Sequence, residues 1–135
     1  MSTVVVDTSA MVAILTGEPG EDWLAAQLAE AGERLMSAPT ALELGIVLEA
    51  RSTSATGILR RTLRDAEITV MPFDDELAQR ALDAWRRFGK GRHPAALNFG
   101  DCCSYALAEA TGCPILCAGD DFSRTDLPVL RPARG

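Results

Sequence analysis

The chain has 135 residues, 47% of them hydrophobic but only 5% aromatic, and a formal net charge of -6. A chain of that length buries enough surface for one core without disulfide staples, so a single domain over 1–135 is expected, and the composition excludes a disordered or fibrous protein. The opening MSTVVVDTSAMVAIL has no basic signal-peptide region, and Asp7 interrupts its apolar run before it could cross a bilayer. A soluble cytoplasmic protein with no membrane partner is therefore expected.

Thr3 to Val6 (TVVV) is a short β-branched run ending in Asp7, the pattern of a buried parallel strand with a carboxylate at its carboxyl end. Asp7, Thr8 and Ser9 offer cap chemistry for a helix beginning near Ala10. In GEDWLAAQLAEAG, Trp23, Leu24, Leu28 and Ala31 fall at helical spacing, with Gly32 as a stop. RLMSAP (34–39) hands a strand over to a helix, TALELGIVLEAR (40–51), expected to bury Leu42, Ile46 and Leu48 or near neighbours with Glu43 in its first turns. A further helix is expected over 54–65, a strand at EITVMPF, and a long helix from Pro72 and Asp74 to Phe88. KGRHPAALNF reads as a loop. A helix of small residues over 100–111 follows, closed by Gly112; CPILCAGDDF gives a short strand ending in acids, and PVLRP a last one.

Strands alternating with helices imply an α/β sandwich around a mainly parallel sheet of four to five strands. Ligands in such folds sit at the carboxyl ends of the strands. Asp7, Glu43, Asp101 and either Asp120 or Asp121 are expected to converge on that edge. A lone Asp after a strand is more often a helix cap, but several carboxylates in one pocket repel one another unless a cation intervenes. Hard oxygen ligands select Mg²⁺ or Mn²⁺, which lower the pKa of a bound water and neutralise charge on a phosphoryl group.

The cysteines Cys102, Cys103, Cys113 and Cys117 all fall in the last third, which does not suit a secreted disulfide framework, and with His93 they would make an irregular zinc set. They read as buried small hydrophobes. His93, alone in a Pro-flanked loop, reads as structural. Nine of the 13 basic residues lie between Arg51 and Arg92 against six acids, a local charge of +3 with -9 elsewhere. That stretch is either a set of solvated helix faces or a track for a polyanion.

VVVDTSAMVAIL, then APTALELGIVLEAR, then RHPAALNFGDCCSYALAEATGCPILCAGDDFSRTDL closely resemble, in order and over nearly the whole chain, the PIN-domain ribonucleases and in particular the VapC-type toxins of toxin-antitoxin pairs. The resemblance implies a three-layer α/β/α sandwich, a single PIN domain, and an endoribonuclease using Mg²⁺ or Mn²⁺. It carries over Asp7, Glu43, Asp101 and Asp120 as catalytic acids, with Asp7, Asp101 and Asp120 as metal ligands and Asp121 as the competing fourth acid. Ser9 and Thr8 become orienting hydroxyls. The same resemblance implies an RNA substrate (tRNA or ribosomal RNA), a cognate VapB-type antitoxin whose tail covers the site, and a homodimer, with the helices between Ala10 and Gly32 as the expected antitoxin surface. Arg86, Arg87, Lys90 and Arg92, nearest the loop entering the site, become the RNA-phosphate contacts. The residue after Cys102 is usually a bulky aromatic in this family; Cys103 stands there, which bears on packing beneath the site.

Two other readings compete. A PIN fold that is catalytically silent could act as a binding module in an antitoxin–operator complex, though every acid survives. A haloacid-dehalogenase-like phosphatase would use Asp7 as nucleophile but needs a second Asp where Ser9 stands.

Overall fold

The computed structural model describes residues 2–51 and 57–133. Five strands form one wholly parallel sheet: β1 (Thr3–Val6), β2 (Glu33–Ser37), β3 (Ile68–Met71), β4 (Ile115–Leu116) and β5 (Val129–Leu130), in the order β3-β2-β1-β4-β5. The helices are α1 (Thr8–Thr16), α2 (Glu21–Glu30), α3 (Ala38–Ala50), α4 (Ile58–Asp65), α5 (Asp75–Phe88) and α6 (Phe99–Thr111).

Alternation along the strands sorts the core into two layers. Val4, Val6, Met36 and Leu116 pack with Met11, Leu24, Leu28, Leu44 and Leu48 from α1, α2 and α3. Val5, Leu35 and Ile115 face the other way, onto Ala84 of α5 and Tyr105, Leu107 and Ala108 of α6. Because side chains alternate across a strand, a β-branched run buried on both faces needs helices on both, and the result is the expected α/β/α sandwich.

Most element positions follow the sequence reading. Helix α1 starts at Thr8, ahead of the expected Ala10, because Asp7 itself is the N-cap. The start expected for α4 at 54 lies outside the described residues. One core assignment is corrected: Leu42 and Ile46 are 63% and 61% exposed, while Thr40, Ala41, Leu44, Gly45 and Leu48 face inward. ALELGIVLEA is apolar on more than one face, so periodicity alone does not say which stripe meets the sheet.

A single strand direction puts every carboxyl end on one edge: Asp7 follows β1, residues 118–121 follow β4, and Arg131 follows β5. The N-termini of α1 and α6 open toward the same region, joined by a bond between Ser104 and Asp7.

Candidate active site

Asp7 is 4% exposed and both of its oxygens are engaged. The Ser9 backbone N–H donates to Oδ2 at 3.1 Å, the cap bond of α1, and the Ser104 hydroxyl donates to Oδ1 at 2.7 Å. Ser104 thereby spends its proton, so the neighbouring Thr40 hydroxyl, 3.1 Å away, is the donor to Ser104. The Ser9 N–H of α1 and Ser104 of α6, itself supported by Thr40 of α3, hold one carboxylate plane. Asp7 is thus a helix cap and a buried acid at once; the positive end of α1 helps to support its charge.

The Thr8 hydroxyl donates to Glu43 Oε1 at 2.6 Å, fixing the acid of α3 against the start of α1. Ser9 Oγ accepts the Ala118 backbone N–H at 3.1 Å, tying the same turn to the segment after β4. Glu43 also approaches α6: a Cβ built on Gly100 would lie 2.5 Å from Glu43 Oε2, so the missing side chain is the space this carboxylate uses.

Asp101 sits at N3 of α6 in a capping box, its Oδ2 accepting the Asn98 N–H at 3.0 Å while Asn98 Oδ1 accepts the Asp101 N–H at 2.9 Å. Burial pushes the Asp101 carboxyl up to about 7; the bond from Asn98 opposes this, and the charges of Asp7, Asp121 and Glu43 add to it. Those three acids and Asp101 therefore share one field.

The acids after β4 divide. Asp120 Oδ1 accepts from Arg131 Nη1 at 2.9 Å, and the charge of Asp121 reaches Asp101. An open cavity of about 510 Å³ is lined by Asp7, Thr8, Ser9, Glu43 and Glu18; Asp101 does not line it, and Asp120 lines an adjoining one. Among the described residues no three His, Cys, Asp or Glu side chains stand close enough to close around an ion. The donor chemistry nevertheless fits a hard divalent cation. The ligating atoms on offer are carboxylate oxygens, each with a second lone pair left beyond its internal hydrogen bond, and Asp101 is pushed up by burial, with neighbours of its own sign adding to it.

The expected basic residues differ in their surroundings. Pairs Arg80–Glu109 (3.2 Å) and Arg87–Tyr105 (3.3 Å) show α5 running antiparallel to α6, so the basic carboxyl end of α5 lies beside the end of α6 that carries Asp101. Arg87 is engaged by Asp126 at 2.8 Å and by Glu109 and Asp83. Arg92 stacks over Trp85 and donates to the Arg86 carbonyl; Arg86 and Lys90 are exposed. His93 accepts the Ala95 N–H through Nδ1 and packs edge-on against Phe88, a loop-shaping role. All four cysteines are free thiols, and burial holds Cys102 and Cys103 up at about 11, far from thiolate chemistry.

Sequence reasoning missed Ser104 and Thr40. Ser104 lies three residues after Asp101 in the buried stretch of a helix rich in small residues, and a hydroxyl there is the signal that a buried polar partner awaits it. Arg131 was also missed, since nothing local in PVLRP ties it to GDDF.

The PIN domain family model matches residues 4–127. A ribonuclease VapC of Mycolicibacterium smegmatis is 45% identical over 128 residues, covering 94% of this chain and 99% of that protein. Ribonuclease VapC36 of Mycobacterium tuberculosis is 47% identical over 126 residues, covering 92% and 91%. Among solved structures, Mycobacterium tuberculosis VapC20, a sarcin-ricin loop cleaving toxin, superposes with a TM-score of 0.76 at 19% identity, covering 96% of this chain and 99% of that one. VapBC2 of Rickettsia felis, bound to a DNA fragment from its promoter, gives 0.72 at 13% identity, covering 97% and 99%. The haloacid-dehalogenase alternative has no place beside these matches: the chain belongs to the PIN-domain family and, within it, to the VapC ribonucleases.

Proposed function

We propose that the chain is a Mg²⁺- or Mn²⁺-dependent endoribonuclease, a cytoplasmic VapC-type toxin held inactive by a cognate VapB-type antitoxin. The observation that carries this reading is the convergence of Asp7, Glu43 and Asp101 at the carboxyl edge of the sheet, where Ser104 donates to Asp7, Thr8 donates to Glu43, and Glu43 Oε2 fills the space beside Gly100, next to Asp101. When bound, a divalent ion supplies the missing counter-charge, a water of lowered pKa and neutralisation of phosphoryl charge.

Asp7 and Asp101 would hold that ion. Asp121 is the preferred third ligand, because Asp120 is drawn to Arg131. Ser104 and the Ser9 N–H hold the Asp7 carboxylate in one plane, so its oxygens need no reordering when phosphate arrives. Thr8 occupies Glu43 Oε1 and leaves Oε2 to orient the attacking water. Water attacks phosphorus in line as the bridging 3′ oxygen departs, giving a 5′-phosphate and a 3′-hydroxyl. Arg86, Lys90 and Arg92 suit contacts to flanking phosphates, while Arg87 serves α5–α6 packing through its carboxylate partners.

The antitoxin rests on solved relatives that are VapBC toxin-antitoxin complexes, including those of Haemophilus influenzae and Salmonella typhimurium. The latter is DNA-bound, as is that of Rickettsia felis, which supports the toxin also riding on operator DNA through its antitoxin. Expression without antitoxin should arrest growth and leave cut tRNA or ribosomal RNA, and Asp7→Ala should relieve both. Arrest of equal depth by the Asp7→Ala protein would contradict the reading.

A further inference from the structure

Arg131 lies just past β5, on the sheet edge that carries Asp7 and the acids after β4. Two strand spacings separate β5 from β1, about 10 Å. Its seat is built. Nη1 donates to Asp120 Oδ1 at 2.9 Å, and the next residue, Pro132, packs over Gly20, where an added Cβ would come within 2.7 Å of the proline ring. Gly20 has a φ of 91°, so the turn before α2 needs a glycine both for its backbone and for this contact.

Arg131 and Asp120 line an open cavity of about 660 Å³ that adjoins the acid cavity, with Pro19, Ala118 and Gly119 lining both. Burial pushes the nearby Cys117 thiol up, the charges of Asp7, Asp121 and Asp101 add to this, and Arg131 opposes them. A guanidinium carries five donors in a planar fork, and one is given to Asp120. A strand of RNA crossing the acidic pocket of a protein with net charge -6 must be held by cations at the pocket's rim.

We propose that Arg131 binds the RNA phosphate next to the scissile one, with Asp120 as the latch that aims it. This rests on the nuclease reading and extends it to a residue of the C-terminal segment. An Arg131–Asp120 pair serving only to pin β5 would not respond to RNA, and that separates the two roles.

The test uses the full chain carrying Asp101→Asn, to prevent cutting, and a fluorescein-labelled oligouridylate followed by anisotropy across a salt series. Adding Arg131→Gln should weaken binding about tenfold and flatten the slope of log affinity against log salt by about 0.7, the share of one phosphate on a single strand. Arg131→Lys should restore the slope. On the protein with native Arg131, oligouridylate should also protect that arginine from phenylglyoxal, which keeps the test decisive if Arg131→Gln does not fold. Unchanged slope and affinity in a folded Arg131→Gln protein, or equal modification with and without RNA, would overturn the proposal. Failure of the parent to bind RNA at all would take the nuclease reading down with it; loss of the Arg131 effect alone would not.

Discussion

Asp101 does two jobs that pull in opposite directions. Its carboxylate closes the capping box of α6, which favours the charged form, while burial and the neighbouring acids favour the proton, and the balance leaves it at about 7 against an ordinary 3.8. The sign of the linkage follows. The folded state binds this proton more tightly than the unfolded chain does, so the stabilisation is fully present below about pH 4 and is lost as pH rises through about 7. In chelator, the protein should melt at a higher temperature near about pH 5 than near about pH 8, and Asp101→Asn should shrink that difference. A pH contrast identical in wild type and variant, read by calorimetry, would place the strain elsewhere. At this scale the sequence is legible where chemistry is costly: Asp7 and Asp101 stand in small or apolar surroundings with no basic neighbour in sequence. The Ser104 hydroxyl signals that a buried polar partner awaits it, but which partner, and the part Thr40 plays, were not legible, because Asp7, Thr40 and Ser104 lie on different elements that only the fold brings together.

At the scale of elements, the alternation of β-branched runs with capped helices announces the sheet, and Gly112 and Asp74 mark helix ends as read. Helix α3 shows where such reading stops. Leu44 and Leu48 on one stripe and Leu42 and Ile46 on another are equally apolar, and the choice between them is made by the registry of α3 on the sheet and against α6. The crossing of α3 and α6 is also where Gly100 matters. An alanine there should leave the melting temperature unchanged or slightly higher, since alanine favours helix and the clashing Glu43 oxygen sits at the far end of a flexible side chain. Displacing Glu43 should nevertheless cut cleavage by about 10-fold or more. A fall in stability that matches the fall in activity would show that Gly100 serves packing and not the carboxylate.

Across the whole molecule, exposed large apolar side chains gather away from the first helices. Leu42, Ile46 and Phe99 (81% exposed) surround a small cleft of about 250 Å³ beside Glu43, and Phe99 also joins it to a second groove lined by Leu82 and Trp85. An exposed apolar patch of this kind marks an association surface, and it suits the homodimer that the family resemblance implies. Phe99→Glu together with Ile46→Lys should yield a monomer in size-exclusion chromatography with light scattering, with the fold retained. A dimer that survives both changes would move the interface elsewhere. Adjacent Cys102 and Cys103, expected as buried small hydrophobes, are both buried free thiols.

Whether carboxylates at the carboxyl edge of this sheet hold a metal for RNA hydrolysis is decided by one cleavage assay. Antitoxin-free protein is incubated with total tRNA and ribosomal RNA and Mg²⁺ or Mn²⁺, with and without chelator, beside Asp101→Asn. The expected result is cutting that chelator abolishes and that Asp101→Asn lowers by more than about 100-fold. Cutting of equal rate by wild type and variant, or cutting indifferent to chelator, would contradict it.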